Sequence, residues 1–171
     1  MVVIKEALRE GFTLIELLVT IGILAVVAAG VVALINPGDK LRQASDAKVQ
    51  SDISQLVTAL QSYAAQQAGG LYPCVTGSAT CPNPLGTNGL AALVPAEVQV
   101  VPAVPNGYGT SYGYLANSVT APTAIKTYGQ LQSNRNGGTP TTPRYWVWCS
   151  WTATFANLAA VPNATYTGAC Q

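Results

Sequence analysis

One carboxylate stands alone in the most apolar stretch of this chain. Glu16 is the only charged residue between Phe12 and Ile35, a run of 24 residues dominated by Leu, Ile, Val and Ala. About 20 apolar helical residues span the hydrocarbon core of a bilayer, so this run predicts a membrane-spanning helix. A carboxylate near the start of such a helix costs on the order of a few kcal/mol to bury, so we expect it to have a role and a partner.

Two simpler interpretations of the apolar run leave something unexplained. A secretory signal peptide usually has a shorter apolar core that is followed by a small-residue cleavage site. Here the small residue, Gly11, precedes the apolar core. An ordinary membrane anchor explains the length of the run but gives Glu16 no role beyond extending toward the lipid headgroups.

The segment from Gly11 to Leu18, Gly-Phe-Thr-Leu-Ile-Glu-Leu-Leu, resembles the processing site of type IV pilins and pseudopilins. The resemblance implies that a prepilin peptidase cuts after Gly11 and removes residues 1–11 as a leader. It implies that the new N-terminal residue, Phe12, is N-methylated. It also implies a partner for Glu16, the Phe12 amine of a neighbouring subunit, and pairing would offset much of the cost of burying two charges.

The resemblance implies further partners and a location. Subunits are expected to form a helical homopolymer, assembled from the membrane by a platform with a cytoplasmic ATPase. A minor subunit that primes or caps assembly is one alternative, and a membrane-anchored adhesin or DNA-uptake module is another. The precursor would be a single-pass membrane protein whose C-terminal domain lies outside the cytoplasm, and the assembled filament would be extracellular or periplasmic.

Charge alone does not decide the membrane orientation. Lys5 and Arg9 favour a cytoplasmic leader, but Lys40, Arg42 and Lys48 follow the apolar run closely. The exported location therefore depends on the resemblance and on cysteine usage.

Four cysteines, at positions 74, 81, 149 and 170, all follow the apolar run. An even number of cysteines in an exported domain favours disulfides, and three pairings are possible. We predict Cys74–Cys81 and Cys149–Cys170, because each bridge closes a local loop. A zinc site is not expected, since the chain has no His and no Cys-x-x-Cys pair.

The groups that most enzymes need are missing from the exported part. It has no His, and beyond Asp52 its only carboxylate is Glu97. Paired-carboxylate hydrolysis is therefore out of reach, and no phosphate-binding Gly loop precedes a helix at the right spacing. We expect no enzymatic activity and no cofactor, and the net charge of +1 gives no electrostatic case for binding nucleic acid.

A second helix is predicted over residues 36–68. Asn36 is expected to cap it and Pro37 to occupy its first position, with a kink or local melting at this point. Residues 39–48 are expected to bridge the membrane and the domain. Further along, the apolar residues fall within one arc of about 120°, which predicts the face that packs on a core; they are Val49, Ile53, Leu56, Val57, Leu60, Tyr63 and Ala64.

Residues 69–171 are predicted to form an exported region of loops and antiparallel sheet. Residues 90–95 suggest one helical turn ended by proline, and residues 98–105 suggest an extended, proline-interrupted segment. Strands are expected at 111–117, at 124–132 (where a short helix is the alternative) and at 144–155. Aromatic residues on both faces of the last strand suggest burial by the helix on one side and by a loop or neighbour on the other.

This order of elements resembles that of the major pseudopilins of type II secretion. Those proteins carry a calcium site built on loop aspartates, whereas this chain has Ala103-Val104-Pro105 at the matching place and no Asp beyond Asp52. Calcium usually needs several oxygen ligands that include carboxylates, so no metal site is predicted. The sequence thus predicts an α+β, pilin-like protein in which a long, kinked N-terminal helix packs on a small antiparallel sheet.

Overall fold

The computed structural model describes residues 11–74, 89–118, 121–163 and 165–170. By its internal contacts the chain divides into two compact units, one ending at Gly38 and the other comprising Asp39–Gln171. The predicted leader, apart from Gly11, and the predicted bridge partner Cys81 lie outside the described residues.

Among the described residues of the first unit, helix α1 spans Leu14–Ile35. Thr13 caps it, because its side-chain oxygen accepts a hydrogen bond from the backbone N–H of Glu16 at 3.3 Å. The stretch Leu14–Val32 has a mean hydropathy of 2.6, and it is long and apolar enough to cross a membrane, a property that signal sequences share. None of that stretch is buried within the protein.

The helical path is interrupted where the sequence predicts it. Asn36 has a left-handed backbone conformation (φ 49°) directly after α1, and helix α2 begins at Pro37. Proline is well suited to the first position of a helix because its missing N–H would have no partner inside the helix. Helix α2 spans Pro37–Gln66 and belongs, from Asp39 onward, to the second unit.

In the second unit, a four-stranded antiparallel sheet packs on α2. The strands are β1 (Gly113–Ala116), β2 (Ile125–Leu131), β3 (Arg144–Cys149) and β4 (Thr154–Leu158), and they pair in sequence order. Two short 3-10 helices, Gly89–Leu93 and Asn134–Asn136, complete the regular structure of the described residues. The α+β prediction is confirmed, and the region predicted as 124–132 is a strand.

The core lies between α2 and the inner face of the sheet. All seven residues of the predicted apolar face of α2 are buried, as are Leu90 and Leu93 of the first 3-10 helix. From the sheet, Ile125, Leu131 and Trp148 join the same cluster. Burial of these side chains is the main favourable term holding helix and sheet together.

The predicted strand 144–155 is wrong in its second half. Strand β3 ends at Cys149, a turn follows in which Ala153 takes a left-handed conformation (φ 51°), and the chain returns as β4. The aromatic alternation of β3 continues to Trp151 in the turn, so a period of two gave no sign of the reversal. The region after Phe155, which has no clear period, supplies the end of this edge strand.

The C-terminal segment covers part of the outer face of the sheet. Cys149 and Cys170 form a disulfide with their Cα atoms 5.8 Å apart. The rings of Trp151 and Tyr166 meet edge to face at 5.7 Å between centroids. Cys149 and Val147, which both face away from α2, are fully buried.

Candidate functional site

The predicted processing and assembly residues lie together at the start of α1. Gly11 and Phe12 precede the helix in non-helical, exposed backbone, and the Phe12 side chain is 80% exposed. Glu16 is exposed in the first helical turn. The Gly11–Phe12 bond is thus accessible within the described chain, and the Phe12 backbone nitrogen lies about one helical turn before Glu16.

Thr13 and Glu16 also have a local task that the sequence reasoning did not anticipate. The Thr13 hydroxyl satisfies one of the backbone N–H groups that the first turn of a helix leaves unpaired. A negative charge in that turn also interacts favourably with the helix dipole. Glu16 thus suits the start of this helix even before any partner is considered.

A second polar cluster lies in the other unit, where Asp46 of α2 is only 1% exposed. Its Oδ1 accepts hydrogen bonds from the N–H of Gln132 (2.9 Å) and the Tyr108 hydroxyl (2.7 Å). Its Oδ2 accepts from the Ser133 N–H (3.0 Å), the Ser133 hydroxyl (2.6 Å) and the Asn136 amide (2.6 Å). Burial by itself raises the pKa of Asp46, but these hydrogen bonds outweigh it and lower the pKa overall.

Asp39, seven residues earlier on α2, binds the same loop. Its Oδ1 accepts the N–H of Asn134 at 3.0 Å, and its Oδ2 accepts the Gln43 amide at 2.7 Å. The Asn134 N–H, with Gln43 and the Arg42 charge, lowers the pKa of Asp39 despite its partial burial. The two carboxylates together hold three successive backbone N–H groups, those of residues 132, 133 and 134, and we call this arrangement the carboxylate clasp.

The clasp corrects one sequence prediction. The sequence predicts that residues 39–48 bridge the membrane and the domain, yet Asp39 and Asp46 are buried against the loop that follows β2. Apolar periodicity could not reveal this packing because the buried side chains are charged. The available signal is Asp46, a carboxylate that lies about one helical turn before Val49, where the apolar face begins.

Lys126 is a third polar group that the sequence did not single out. It lies on the outer face of β2 and is fully buried beneath the C-terminal segment. Its ammonium donates to the backbone and side-chain oxygens of Asn163 at 2.9 and 3.1 Å, and it stands over the rings of Trp151 (5.4 Å) and Tyr166 (5.9 Å). Burial lowers the pKa of Lys126, and these contacts help to fix the tail.

The described residues contain no group of three or more His, Cys, Asp or Glu side chains that could hold a metal ion. Fold and N-terminal segment together define a class: an α+β protein with an exposed apolar helix of membrane-spanning length ahead of its helix-on-sheet unit. Residues 8–32 match the family model of the prokaryotic N-terminal methylation motif. That motif is the prepilin-type signature of type IV pilins and pseudopilins, so the predicted resemblance is confirmed for this segment.

The matched segment contains Gly11, Phe12 and Glu16 together with most of α1. Proteins that carry this motif are structural, pilin-like proteins rather than enzymes, and the motif and the apolar helix fit a membrane-anchored precursor. Searches of curated proteins and of solved structures found no match to the chain.

Proposed function

We propose that the protein is a structural subunit of a type IV pilus or pseudopilus-like filament that assembles from the membrane through α1. The observation that carries the proposal is the methylation motif at the head of an apolar helix that is wholly unburied within the chain. An unburied apolar surface of this size needs an apolar environment. Lipid provides it before assembly, and the helices of other subunits provide it in the filament.

Processing follows from the same motif. Prepilin peptidase removes residues 1–11 by cutting between Gly11 and Phe12, and Phe12 is then N-methylated. The exposed backbone of Gly11 and Phe12 suits this cleavage. An assembly platform with its cytoplasmic ATPase then moves the mature subunit from the membrane into the polymer.

Glu16 sets the assembly step in this proposal. Its carboxylate pairs with the Phe12 amine of the adjacent subunit, which fixes the register between the two helices. Each of these charges would be costly alone in a low-dielectric helical bundle, and their attraction offsets much of that cost. The Thr13 cap bonds the backbone N–H of Glu16 and therefore leaves the Glu16 carboxylate available.

Substitution of Glu16 by Gln tests the polymer directly. The variant keeps the side-chain shape but leaves a buried amine uncompensated, and breaking a buried ion pair costs about 3–5 kcal/mol. We expect sheared filaments to be lost while the membrane level of the subunit stays normal. The matched control is Glu97→Gln, which also removes one carboxylate, but from the second unit, and which should leave the filament yield unchanged.

The outcome also separates the proposal from its alternatives. Normal filaments from Glu16→Gln would reject the pairing and favour a membrane-anchored binding module. Loss of filaments together with a low abundance of the chain in wild-type filaments would favour a minor priming or capping subunit. A major subunit should instead dominate the sheared material.

A further inference from the structure

A polar groove lies beside α2 in the second unit. Its volume is about 350 Å³, which is within the range of about 300–1,000 Å³ typical of small-molecule sites. Three elements contribute to its wall: α2, the second 3-10 helix and β3. The lining residues are Gln43, Ala47, Gln50, Arg135, Asn136 and Trp146.

Two amide side chains of the groove are oriented by hydrogen bonds to residues outside its lining. The Gln43 nitrogen donates to Asp39, and the Asn136 nitrogen donates to Asp46 and Ser133. Among the described residues, neither amide oxygen receives a hydrogen bond. The carboxylate clasp thus leaves two oriented acceptors in the wall of the groove, and little entropy is lost when a ligand uses them.

Two other side chains provide donors. Arg135 is exposed and forms no hydrogen bond or ion pair within the part of the chain that the structure describes. The side-chain amide of Gln50 likewise has no partner there. A guanidinium offers five N–H donors, and an amide offers two donors and an acceptor. The groove therefore presents both donors and acceptors that have no hydrogen-bond partner among the described residues.

Trp146 adds a flat apolar surface to these polar groups. It is half-buried, and its ring stacks on Phe155 at 5.5 Å with only 14° between the planes. The stack holds the indole in place, since Phe155 is itself anchored on β4. The groove therefore combines one supported aromatic face with amide acceptors, amide donors and a guanidinium.

The chemistry of the lining narrows the class of ligand. A polyphosphate or nucleic acid would meet a single cation, with the carboxylates of Asp39 and Asp46 directly behind the wall. A purely apolar ligand would leave the polar side chains of the lining without hydrogen-bond partners. A metal ion would find no carboxylate ligand among the lining residues. A pyranose ring has an apolar C–H face for an aromatic ring and a rim of hydroxyls that both donate and accept.

We propose that this groove binds a saccharide chain. One sugar ring lies on Trp146, its hydroxyls bond the amides of Gln43, Gln50 and Asn136, and Arg135 bonds hydroxyls or a uronate carboxylate. This binding function is additional to a filament role and does not depend on polymerisation. It would give the exported unit a ligand at the surface to which the protein is delivered.

The test uses the full chain in a zwitterionic detergent that has no sugar headgroup. Cellohexaose, maltohexaose and hexagalacturonate are titrated separately, with saturation-transfer NMR and tryptophan fluorescence as readouts. We expect saturable binding of at least one of them. Loss of hydrogen bonds in Arg135→Gln and in Gln50→Ala should weaken it about tenfold each.

Controls separate the groove from the fold. Gln55→Ala changes the same residue type on α2 but in a different groove, and it should bind like the wild type. Trp146→Phe keeps a ring in the core and should weaken binding without lowering the melting temperature appreciably. The proposal is overturned if none of the three oligosaccharides binds, if an acidic peptide binds in their place, or if the groove variants bind as the Gln55 control does.

Discussion

Asp46 is a charged residue that is buried beside an apolar core and helps to stabilise it. A buried carboxylate is costly unless hydrogen bonds replace its water. Asp46 receives five such bonds, two of them from backbone N–H groups that would otherwise lack partners. The residue and the loop after β2 therefore depend on each other.

Replacement of Asp46 by Asn should expose this dependence. The neutral amide cannot accept from all five donors, and its own N–H₂ would face other donors. We expect a loss of about 3 kcal/mol in the free energy of unfolding, measured by urea titration of the full chain in detergent with near-UV circular dichroism. Glu97→Gln, at a partly exposed site, should change stability by less than about 0.5 kcal/mol.

The same carboxylates predict how stability responds to acid. The pKa of Asp46 and that of Asp39 are both lowered in the folded protein. Their contribution is therefore complete above the unfolded value of about 3.9 and is lost as the pH falls through the lower folded values. The fall in melting temperature below about pH 4 should be shallower in Asp46→Asn, and an unchanged slope would contradict the assignment.

At the scale of elements, the contact between α2 and β2 depends on a glycine. A Cβ atom on Gly129 would lie 2.6 Å from Cγ1 of Val49 and 3.0 Å from the ring of Tyr112. Gly129→Ala should therefore cost about 1–3 kcal/mol through overpacking. The double variant Gly129→Ala/Val49→Ala should be more stable than the sum of the two single losses predicts, because the shorter side chain at position 49 makes room for the new Cβ. A double-mutant cycle measured by urea unfolding would give the size of this difference.

The C-terminal segment depends on its disulfide in a comparable way. The bridge Cys149–Cys170 closes a loop with a sequence separation of 21, and its removal should cost about 3 kcal/mol. Cys149→Ser/Cys170→Ser should lower the unfolding midpoint, and it should also expose Lys126 to acylating reagents that do not reach it in the wild type. Non-reducing peptide mapping should link these two cysteines, and it should link Cys74 to Cys81. Free thiols in the purified protein would contradict both pairings.

The limits of sequence-based prediction follow from the range of the interactions. The apolar face of α2 and the methylation motif are local patterns, so a short stretch of sequence is enough to find them. The carboxylate clasp joins residues 86 to 95 positions apart, and no local period encodes it. The groove beside Trp146 is missed for the same reason, because its wall joins α2 to two segments that lie much later in the sequence.

At the scale of the whole molecule, the decisive prediction concerns maturation. Mass spectrometry of the assembled protein should show that residues 1–11 are absent and that Phe12 carries a methyl group. A bulky substitution at Gly11 should leave the leader in place, because the peptidase must fit the residue before the cut, whereas Gly11→Ala should be partly tolerated. Intact Met1 in assembled material would contradict the processing proposal.

The carboxylate clasp also has a mechanical consequence. A pull along the axis of α2 would load the bonds at Asp39 and Asp46 simultaneously, since both grip the same short loop. Bonds sheared in parallel must rupture together, whereas bonds peeled one by one yield in sequence. The helix is thus fastened at two points near its N-terminal end, and a force that slides α2 along its axis would have to break both attachments before it freed the loop.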